Sequence, residues 1–380
     1  MLNIFSFLFG LIVKKRNKWF DNNQNKIVKS DFPVISVGNL SVGGTGKTPF
    51  VIELCKILKE LGFSPCVIGM GYKRKSKNDI LVSDGEKIFV DATVGGDEMI
   101  LIAQKAISNN LKIPVIAGKS KSKTVQTFLA TRHTALDAES PDNNDDARRL
   151  WVKPAMTGKN RNSIDTFNIK SKIDCIIIDD GFQHRKLFRD LDIVLIDNSS
   201  LLKPFLLPKG RLREPFDSLV RADIICLTKN ATKENFLKIY PTDKPILETN
   251  FKLNKYYSLF EKSEINLTKT ITVSGIAKPE IFIEMLKNEM LKNGEFEILE
   301  TLNFADHHNF SERDIKKIFK ICTVNNCFNI SITEKDAVKF FDFEKIFAEN
   351  KINIFVHPLE LNIYSGKEDL KKMLERLRKI

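Results

Sequence analysis

The stretch PVISVGNLSVGGTGKT, from Pro33 to Thr48, joins a short apolar strand to a turn of small residues. The run from Val34 to Val37 has the character of a buried strand, and an apolar helical pattern follows from Pro49 to Leu61. A strand, a glycine-rich turn and a helix in this order predict a phosphate-binding loop (P-loop).

The groups in this turn are those that bind a nucleoside triphosphate. Backbone N–H groups of the glycines can converge on a phosphate, Lys47 adds a positive charge, and the Thr48 hydroxyl can reach Mg²⁺. Ser41 stands where the usual pattern has its first glycine, so the motif is a variant. The predicted nucleotide-binding residues of the turn are Gly43, Gly44, Thr45, Gly46, Lys47 and Thr48.

Length and composition indicate a globular protein of two domains. The chain has 380 residues, more than a single core usually supports, and 42% of them are hydrophobic. A net charge of +12 favours an acidic partner: a phosphorylated substrate, an anionic membrane or a nucleic acid. The six cysteines lie in apolar runs without the paired spacing of a zinc site, which predicts reduced core residues.

The N-terminal segment combines an apolar run with a basic cluster. The run, from Ile4 to Val13, is shorter than the roughly 20 residues of a membrane-spanning helix, and it lacks the features of a secretory signal. Three basic residues follow at once, with Trp19 close behind. We predict a helix over residues 1–20 that lies in the membrane interface; a buried N-terminal helix is the alternative.

Two pairs of adjacent carboxylates lie at the ends of predicted elements. Asp97 and Glu98 follow two glycines, where they either cap a helix or act as base and metal ligand near a phosphate. Asp179 and Asp180 end the apolar strand DCIIIDDG. This is the form of a strand that faces a P-loop and holds Mg²⁺ through a carboxylate, which favours a metal site.

Two loops carry polar residues suited to anions. Gln183, His184 and Arg185 follow the DDG turn, and the segment PFLLPKGRLREP, residues 204–215, contains Arg211 and Arg213. These two arginines could bind a phosphate or carboxylate through two hydrogen bonds each; a solvated charged loop is the alternative.

Residues 119–158 differ in composition from the rest of the chain. Lys, Asn, Ile and Phe give way to Thr, Ala, Arg, Asp and Trp without a clear period, and removing the stretch leaves an ordinary strand, loop, helix and strand. We predict an inserted, exposed and disordered segment.

The alternation of strands and helices predicts an α/β fold. A P-loop NTPase-like parallel sheet domain spans residues 21–255. The pattern then restarts and predicts a second, smaller C-terminal α/β domain over 256–380, in addition to the N-terminal apolar helix.

Seven motifs in order along the chain resemble those of the tetraacyldisaccharide 4′-kinase family: GNLSVGGTGKTP, GGDE, DDGFQH, LPKGRLREP, VSGIAKPEIF, FADHH and TEKDAVK. The likeness covers nearly the whole chain apart from 119–158. It implies a kinase of lipid A biosynthesis that uses Mg²⁺-ATP to phosphorylate the 4′-hydroxyl of a tetraacylated glucosamine disaccharide 1-phosphate, giving lipid IVA. It also implies peripheral or monotopic attachment to the cytoplasmic face of the inner membrane of a Gram-negative bacterium, with no nucleic acid and no obligate protein partner.

The resemblance also implies roles for particular residues. Asp97 is expected to be the catalytic base, paired with His307 of FADHH, with His308 as the alternative partner. A carboxylate oriented by a histidine suits this task, since a sugar hydroxyl is a poor nucleophile at neutral pH. The other implied roles are catalysis for Lys47, metal binding for Thr48, Glu98, Asp179 and Asp180, nucleotide binding for Gln183, and substrate binding for Arg161, His184, Arg213 and Glu214.

Two positions depart from the family pattern or are affected by the predicted insert. Met70 replaces an arginine that the family usually has, and Arg161 adjoins the insert.

Two other functions remain open. A membrane-associated P-loop ATPase switch that acts through a protein partner would share the nucleotide site but have no lipid acceptor. A nucleic-acid-binding protein is favoured only by the net charge, because no recognition motif supports it.

Overall fold

The computed structural model describes residues 2–71, 74–76, 78–135, 173–260, 267–293 and 296–379. The chain divides into two compact units: Met1–Asn250 with Leu361–Ile380, and Phe251–Glu360. The sequence predicted a C-terminal domain that runs from residue 256 to the end. Instead, the second unit ends at Glu360, and the last residues return to the first unit.

Helices and strands alternate along most of the described chain. The helices are α1 (Leu2–Asn22), α2 (Lys47–Glu60), α3 (Ala92–Gly95), α4 (Asp97–Ser108), α5 (Lys121–Ala135), α6 (Asn198–Leu202), α7 (Lys233–Ile239), α8 (Pro279–Asn293), α9 (Glu312–Val324), α10 (Glu334–Phe340), α11 (Glu344–Glu349) and α12 (Lys367–Arg376). The strands are β1 (Val34–Asn39), β2 (Pro65–Gly69), β3 (Ile80–Ser83), β4 (Val115–Ala117), β5 (Cys175–Asp179), β6 (Leu191–Asp197), β7 (Ile224–Thr228), β8 (Ile246–Leu253), β9 (Tyr257–Ser258), β10 (Lys269–Ser274), β11 (Glu297–Asn303), β12 (Asn329–Thr333), β13 (Asn353–His357) and β14 (Leu359–Ser365).

The first unit is built on a nine-stranded, mostly parallel sheet in the order β14-β8-β7-β6-β1-β5-β2-β4-β3. β1 pairs in parallel with β5 on one side and β6 on the other, and all six of its residues are buried. The chain leaves β1 toward β2 on one side and later reaches β6 on the other. Ligands bind at such a reversal, beyond the carboxyl ends of the strands. The predicted α/β sheet domain is confirmed.

Helix α1 forms where the sequence predicted an apolar N-terminal helix. Val13 and Phe20 are buried, whereas most large apolar side chains before Val13 are exposed. Among the described residues, no helix has both the length and the apolarity required to cross a membrane.

Helix α5 contradicts the first part of the predicted insert. Lys121–Ala135 is helical and packs on β2, and Val125 and Phe128 are buried in one hydrophobic cluster with Ile68 and Ile116. The composition was misleading because the helix has a weak apolar period, and several of its buried positions carry polar residues. The remainder of the predicted insert, from residue 136, lies outside the described residues.

The second unit has its own five-stranded sheet, in the order β11-β10-β12-β13-β9. Its strands are parallel except for β9, which pairs antiparallel with β13. A separate hydrophobic cluster that includes Ile271, Ile330 and Phe340 forms its core. The predicted second, smaller α/β fold is therefore present, with the boundaries given above.

Replacing Phe128 with alanine should lower the free energy of unfolding by about 3 kcal/mol, because a buried ring is removed and a cavity remains. Lys123→Ala, at an exposed position of the same helix, is the matched control. Urea unfolding followed by circular dichroism measures both variants. An unchanged unfolding midpoint for Phe128→Ala would mean that α5 is not part of the core.

Candidate active site

The glycine-rich turn after β1 has the backbone geometry that a phosphate-binding site requires. Gly43 and Gly46 have φ angles of 96° and 94°, a region that favours residues without a Cβ atom. Lys47 and Thr48 then begin α2, so both lie at a helix N-terminus, where backbone N–H groups attract anions.

Buried hydrogen bonds hold this turn in place. Asn39 Nδ2 donates to Thr45 Oγ1 at 2.8 Å, and Thr228 Oγ1, at the end of β7, donates to Thr45 O at 2.8 Å. Thr45, a predicted nucleotide-binding residue, therefore has its hydroxyl and its carbonyl engaged within the protein.

Two cations from neighbouring loops also bind the backbone of the turn. Arg211 Nη2 donates to Val42 O at 2.6 Å, and Lys229 Nζ donates to Gly44 O. Arg211 also donates to Ser199 Oγ at 2.8 Å. The solvated-loop interpretation of Arg211 is therefore wrong, because its guanidinium group binds the backbone of the phosphate-binding turn directly. Sequence reasoning did not single out Lys229, which directly follows β7.

The carboxylate of Asp180, directly after β5, is the centre of the site. Lys47 Nζ lies 3.2 Å from Asp180 Oδ1, and Arg213 Nη1 lies 3.2 and 3.0 Å from the two carboxylate oxygens. Lys121 Nζ donates to the backbone carbonyl of Asp180 at 2.5 Å. Three cations from distant parts of the sequence therefore meet at one aspartate.

These charges shift the protonation equilibria in the site. Burial raises the pKa of Asp180, but Lys47, Lys121 and Arg213 outweigh it and hold that pKa below its ordinary value. Burial lowers the pKa of Lys121, while the negative charges of Asp180 and Asp179 oppose the change. Asp180 is thus ionised at neutral pH, and the surplus of positive charge around it favours an anionic ligand.

Asp179 differs from its neighbour, although both residues are predicted metal ligands. It is the last residue of β5, and burial together with the negative charge of Glu98 raises its pKa to about 7. In the part of the chain that the structure describes, its buried Oδ1 has no hydrogen-bond partner. A buried carboxylate oxygen without a protein donor, close to a second carboxylate, fits a hard cation such as Mg²⁺.

Sequence reasoning missed Lys121 and Ser122, because it assigned both to the insert. Both are buried at the start of α5, and Ser122 N donates to His184 Nε2 at 3.3 Å. Burial and the positive charge of Lys121 lower the pKa of His184 to about 4. His184, a predicted substrate ligand, is therefore neutral at physiological pH. The sequence contained one usable signal for Lys121. The basic segment GKSK directly follows the predicted strand IPVIA, so its lysines lie at the same edge of the parallel sheet as the P-loop.

Gln183 and Arg213 are brought together at this edge. Gln183 Nε2 donates to Asn39 O at 2.8 Å, and Arg213 Nη1 lies 3.4 Å from Gln183 Oε1. Gln183 thus links the end of β1 to the arginine that binds Asp180. Nucleotide binding by Gln183 and sugar binding by Arg213 stay predictions.

Glu214 is fully buried, and its carboxylate is already paired. Its partners are Arg16 Nη2 at 3.0 Å, Asn17 Nδ2 at 2.8 Å and Arg221 Nη2 at 2.5 Å. Arg185 Nη1 adds a hydrogen bond to Asn17 O at 2.7 Å. These contacts hold the second half of α1 against the rest of the first unit. Substrate binding by Glu214, as the resemblance implies, would require some of them to be released.

In the second unit, the two histidines of FADHH have different surroundings. His307 has a left-handed φ of 58°, and its Nε2 lies 3.0 Å from Lys335 Nζ. His308 Nε2 lies 3.1 Å from Asp314 Oδ2, and the His308 ring stacks on Phe304 with centroids 4.7 Å apart. His308 therefore holds its own loop in place, which favours His307 as the reactive histidine.

The remaining predicted residues lie at the start of α4 or outside the described chain. Asp97 and Glu98 are the first two residues of α4, and the charge of Glu98 acts on Asp179. Asp97 belongs to the first unit and His307 to the second. Arg161 lies outside the described residues.

The chain matches one protein-family model, described as LpxK: Tetraacyldisaccharide-1-P 4′-kinase, over residues 1–138 and 147–379. The gap in this match is much shorter than the predicted insert of 119–158. It begins after α5, in agreement with the packing of that helix in the core.

Similar proteins and a similar solved structure carry the same name. The tetraacyldisaccharide 4′-kinase of Aquifex aeolicus is 33% identical over 98% of this chain and 97% of its own length. That of Pelodictyon phaeoclathratiforme is 30% identical over 97% and 94%. The crystal structure of LpxK from Aquifex aeolicus in complex with ATP is 29% identical, with a TM-score of 0.68 and coverage of 98% of this chain and 97% of that one.

Proposed function

This chain belongs to the tetraacyldisaccharide-1-P 4′-kinase family, and we propose that the site around Asp180 transfers the γ-phosphate of ATP to the 4′-hydroxyl of a tetraacylated glucosamine disaccharide 1-phosphate. The product is lipid IVA, an intermediate of lipid A biosynthesis. The observation that carries the proposal is the convergence of Lys47, Lys121 and Arg213 on Asp180, beside a formed P-loop.

The cations of the site supply positive charge of the kind that phosphoryl transfer needs. Lys47, at the start of α2, neutralises charge on the transferred phosphate, and Lys121 and Arg213 add positive charge beside it. Because Asp180 already holds all three together, little reorganisation is needed when phosphate charge enters the site. Binding of ATP by the similar kinase from Aquifex aeolicus supports this assignment.

Thr48, Glu98, Asp179 and Asp180 are the residues that would hold Mg²⁺. Within this set, support comes from Asp179, whose buried Oδ1 has no hydrogen-bond partner among the described residues, and from the charge of Glu98 that acts on it. When bound, the ion neutralises charge on the phosphates and orients them.

Asp97 is the proposed base that takes the proton of the attacking 4′-hydroxyl, and His307 assists it. A carboxylate at a helix start has a fixed backbone position, which suits a group that must meet one hydroxyl. Lys335 Nζ lies 3.0 Å from His307 Nε2, and the tautomer that accepts a hydrogen bond from it carries the ring proton on Nδ1.

The lipid acceptor is reached at a membrane surface to which α1 attaches peripherally. The exposed apolar side chains of α1 and the lysines that follow them support attachment to an anionic bilayer, such as the cytoplasmic face of the inner membrane. Because Arg16 and Asn17 bind Glu214, this attachment also fixes the kinase unit relative to the helix.

Purified protein should transfer labelled γ-phosphate from Mg²⁺-ATP to a detergent-dispersed tetraacyldisaccharide 1-phosphate, with the new phosphate at the 4′ position. Lys47→Ala should lower kcat by about a hundredfold or more, because the transferred phosphate loses its neutralising charge. Lys59→Ala, farther along the same helix, is the matched control. ATP hydrolysis without a phosphorylated lipid would instead support the ATPase switch that acts through a protein partner.

Asp97→Ala should reduce kcat far more than it weakens ATP binding, and His307→Ala should do so to a smaller degree. If the two residues act together, the double variant should be little worse than Asp97→Ala alone. Asn309→Ala, at an exposed position of the same loop, is the matched control. Fully additive losses in the cycle, or an equal loss for Asn309→Ala, would contradict the assignment of His307.

A further inference from the structure

A loop of the first unit lies against the exposed half of α1. We define the α1–loop face as residues 2–12 of α1 together with residues 202–209, a segment that begins at the last residue of α6. Ser6 Oγ donates to Leu206 O at 2.9 Å, and a Cβ atom placed on Gly10 would lie 3.0 Å from Leu206 Cδ1. The glycine therefore allows the loop to approach the helix closely, and the two segments form one continuous surface.

The α1–loop face exposes many large apolar side chains. On α1 they are Leu2, Ile4, Phe5, Phe7, Leu8, Leu11 and Ile12, each 48% to 66% exposed. The loop adds Leu202 at 73% and Phe205 at 44%. Soluble proteins rarely expose a contiguous apolar patch beyond a few hundred Å², and such patches mark interaction sites.

The charged residues of the two segments that form this face have one sign. The sequence has no acidic residue in 1–20 or in 198–213. Lys209 Nζ lies 3.7 Å from the centroid of the Phe205 ring, so a cation and an apolar ring are presented side by side. The exposed lysines that border the apolar side chains are Lys14, Lys15 and Lys18 on α1 and Lys203 and Lys209 in the loop.

Internal hydrogen bonds order the loop and connect it to the active site. Leu212 N donates to Phe205 O at 3.1 Å, and Gly210 N donates to Leu206 O at 2.9 Å. The residues that follow include Arg211, which binds the P-loop backbone, and Arg213, which binds Asp180. Leu202 and Phe205 therefore project from a segment that is tied to the site of phosphoryl transfer.

We propose that residues 202–209 form a second membrane-contact element, which inserts Leu202 and Phe205 into an anionic phospholipid bilayer beside α1. The charges favour an anionic bilayer as the binding partner, because the apolar side chains suit its acyl region and the bordering lysines suit its anionic headgroups. A second copy of the same face would bring positive charge against positive charge. The inference rests on the proposed function, in which the acceptor is a lipid, and it adds a contact next to the catalytic arginines.

The test measures binding of the full-length protein to large unilamellar vesicles of phosphatidylglycerol and phosphatidylcholine. Leu202→Ser combined with Phe205→Ser should weaken binding about tenfold while α1 remains intact. Phe205→Trp should bind like the wild type, since indole rings suit the membrane interface. Val220→Ser, which removes a side chain 70% exposed elsewhere in the first unit, is the matched control and should leave binding unchanged.

Kinase assays separate this inference from the proposed function. The double variant should phosphorylate detergent-dispersed substrate at the wild-type rate but vesicle-embedded substrate more slowly. Inactivity of the wild-type protein on dispersed substrate would contradict the proposed function. The vesicle-binding measurement would still show whether residues 202–209 contact the membrane.

Three results would overturn the inference. The first is wild-type vesicle binding by the double variant with an unchanged circular dichroism spectrum. The second is an equal loss of binding in Val220→Ser. The third is a dimer in sedimentation velocity without vesicles that the double variant abolishes, which would make the face an interface between copies of this chain.

Discussion

The pairing of Asp180 with three cations is the interaction on which the candidate active site depends. Lys47 comes from the start of α2, Lys121 from the start of α5, and Arg213 from the segment after α6. Removing an ammonium or guanidinium group from water without a counter-charge costs several kcal/mol. Lys121 is only 2% exposed, and Asp180 compensates its burial by accepting its hydrogen bond and, together with Asp179, supplying negative charge.

One segment of the chain serves both the active site and the N-terminal helix. Arg213 binds Asp180, and the next residue, Glu214, binds Arg16 and Asn17 of α1. A displacement of α1 would therefore act on a residue adjacent to an active-site cation. This connection gives a physical route by which the position of α1 and the active site can influence each other, through neighbouring residues of a single ordered segment.

The sequence predicted those parts of the structure that local patterns determine. The strand, turn and helix around Lys47 follow from residue type and spacing, and the strand that ends in Asp179 and Asp180 follows from its unbroken apolar run. The α/β character of both units was predicted for the same reason, because periodicity is a local property.

Features that depend on tertiary contacts were missed. Helix α5 has a weak apolar period, so the burial of Phe128 and the position of Lys121 could not be inferred from composition. The pairing of Glu214 with α1 joins residues about two hundred positions apart, and no motif reports such a contact. The end of the second unit at Glu360 depends on the return of the chain to the first unit through β14, which a repeating strand and helix pattern does not reveal.

The most direct test of this account is Asp180→Asn, which preserves side-chain size but removes the charge that the three cations share. Calorimetric titration with ATP, with and without Mg²⁺, and single-turnover transfer to the lipid acceptor should be measured on the same preparation. We expect a folded protein in which Mg²⁺ no longer strengthens ATP binding and transfer is slower by about a hundredfold or more. Normal transfer with a normal Mg²⁺ dependence would contradict the central role of Asp180.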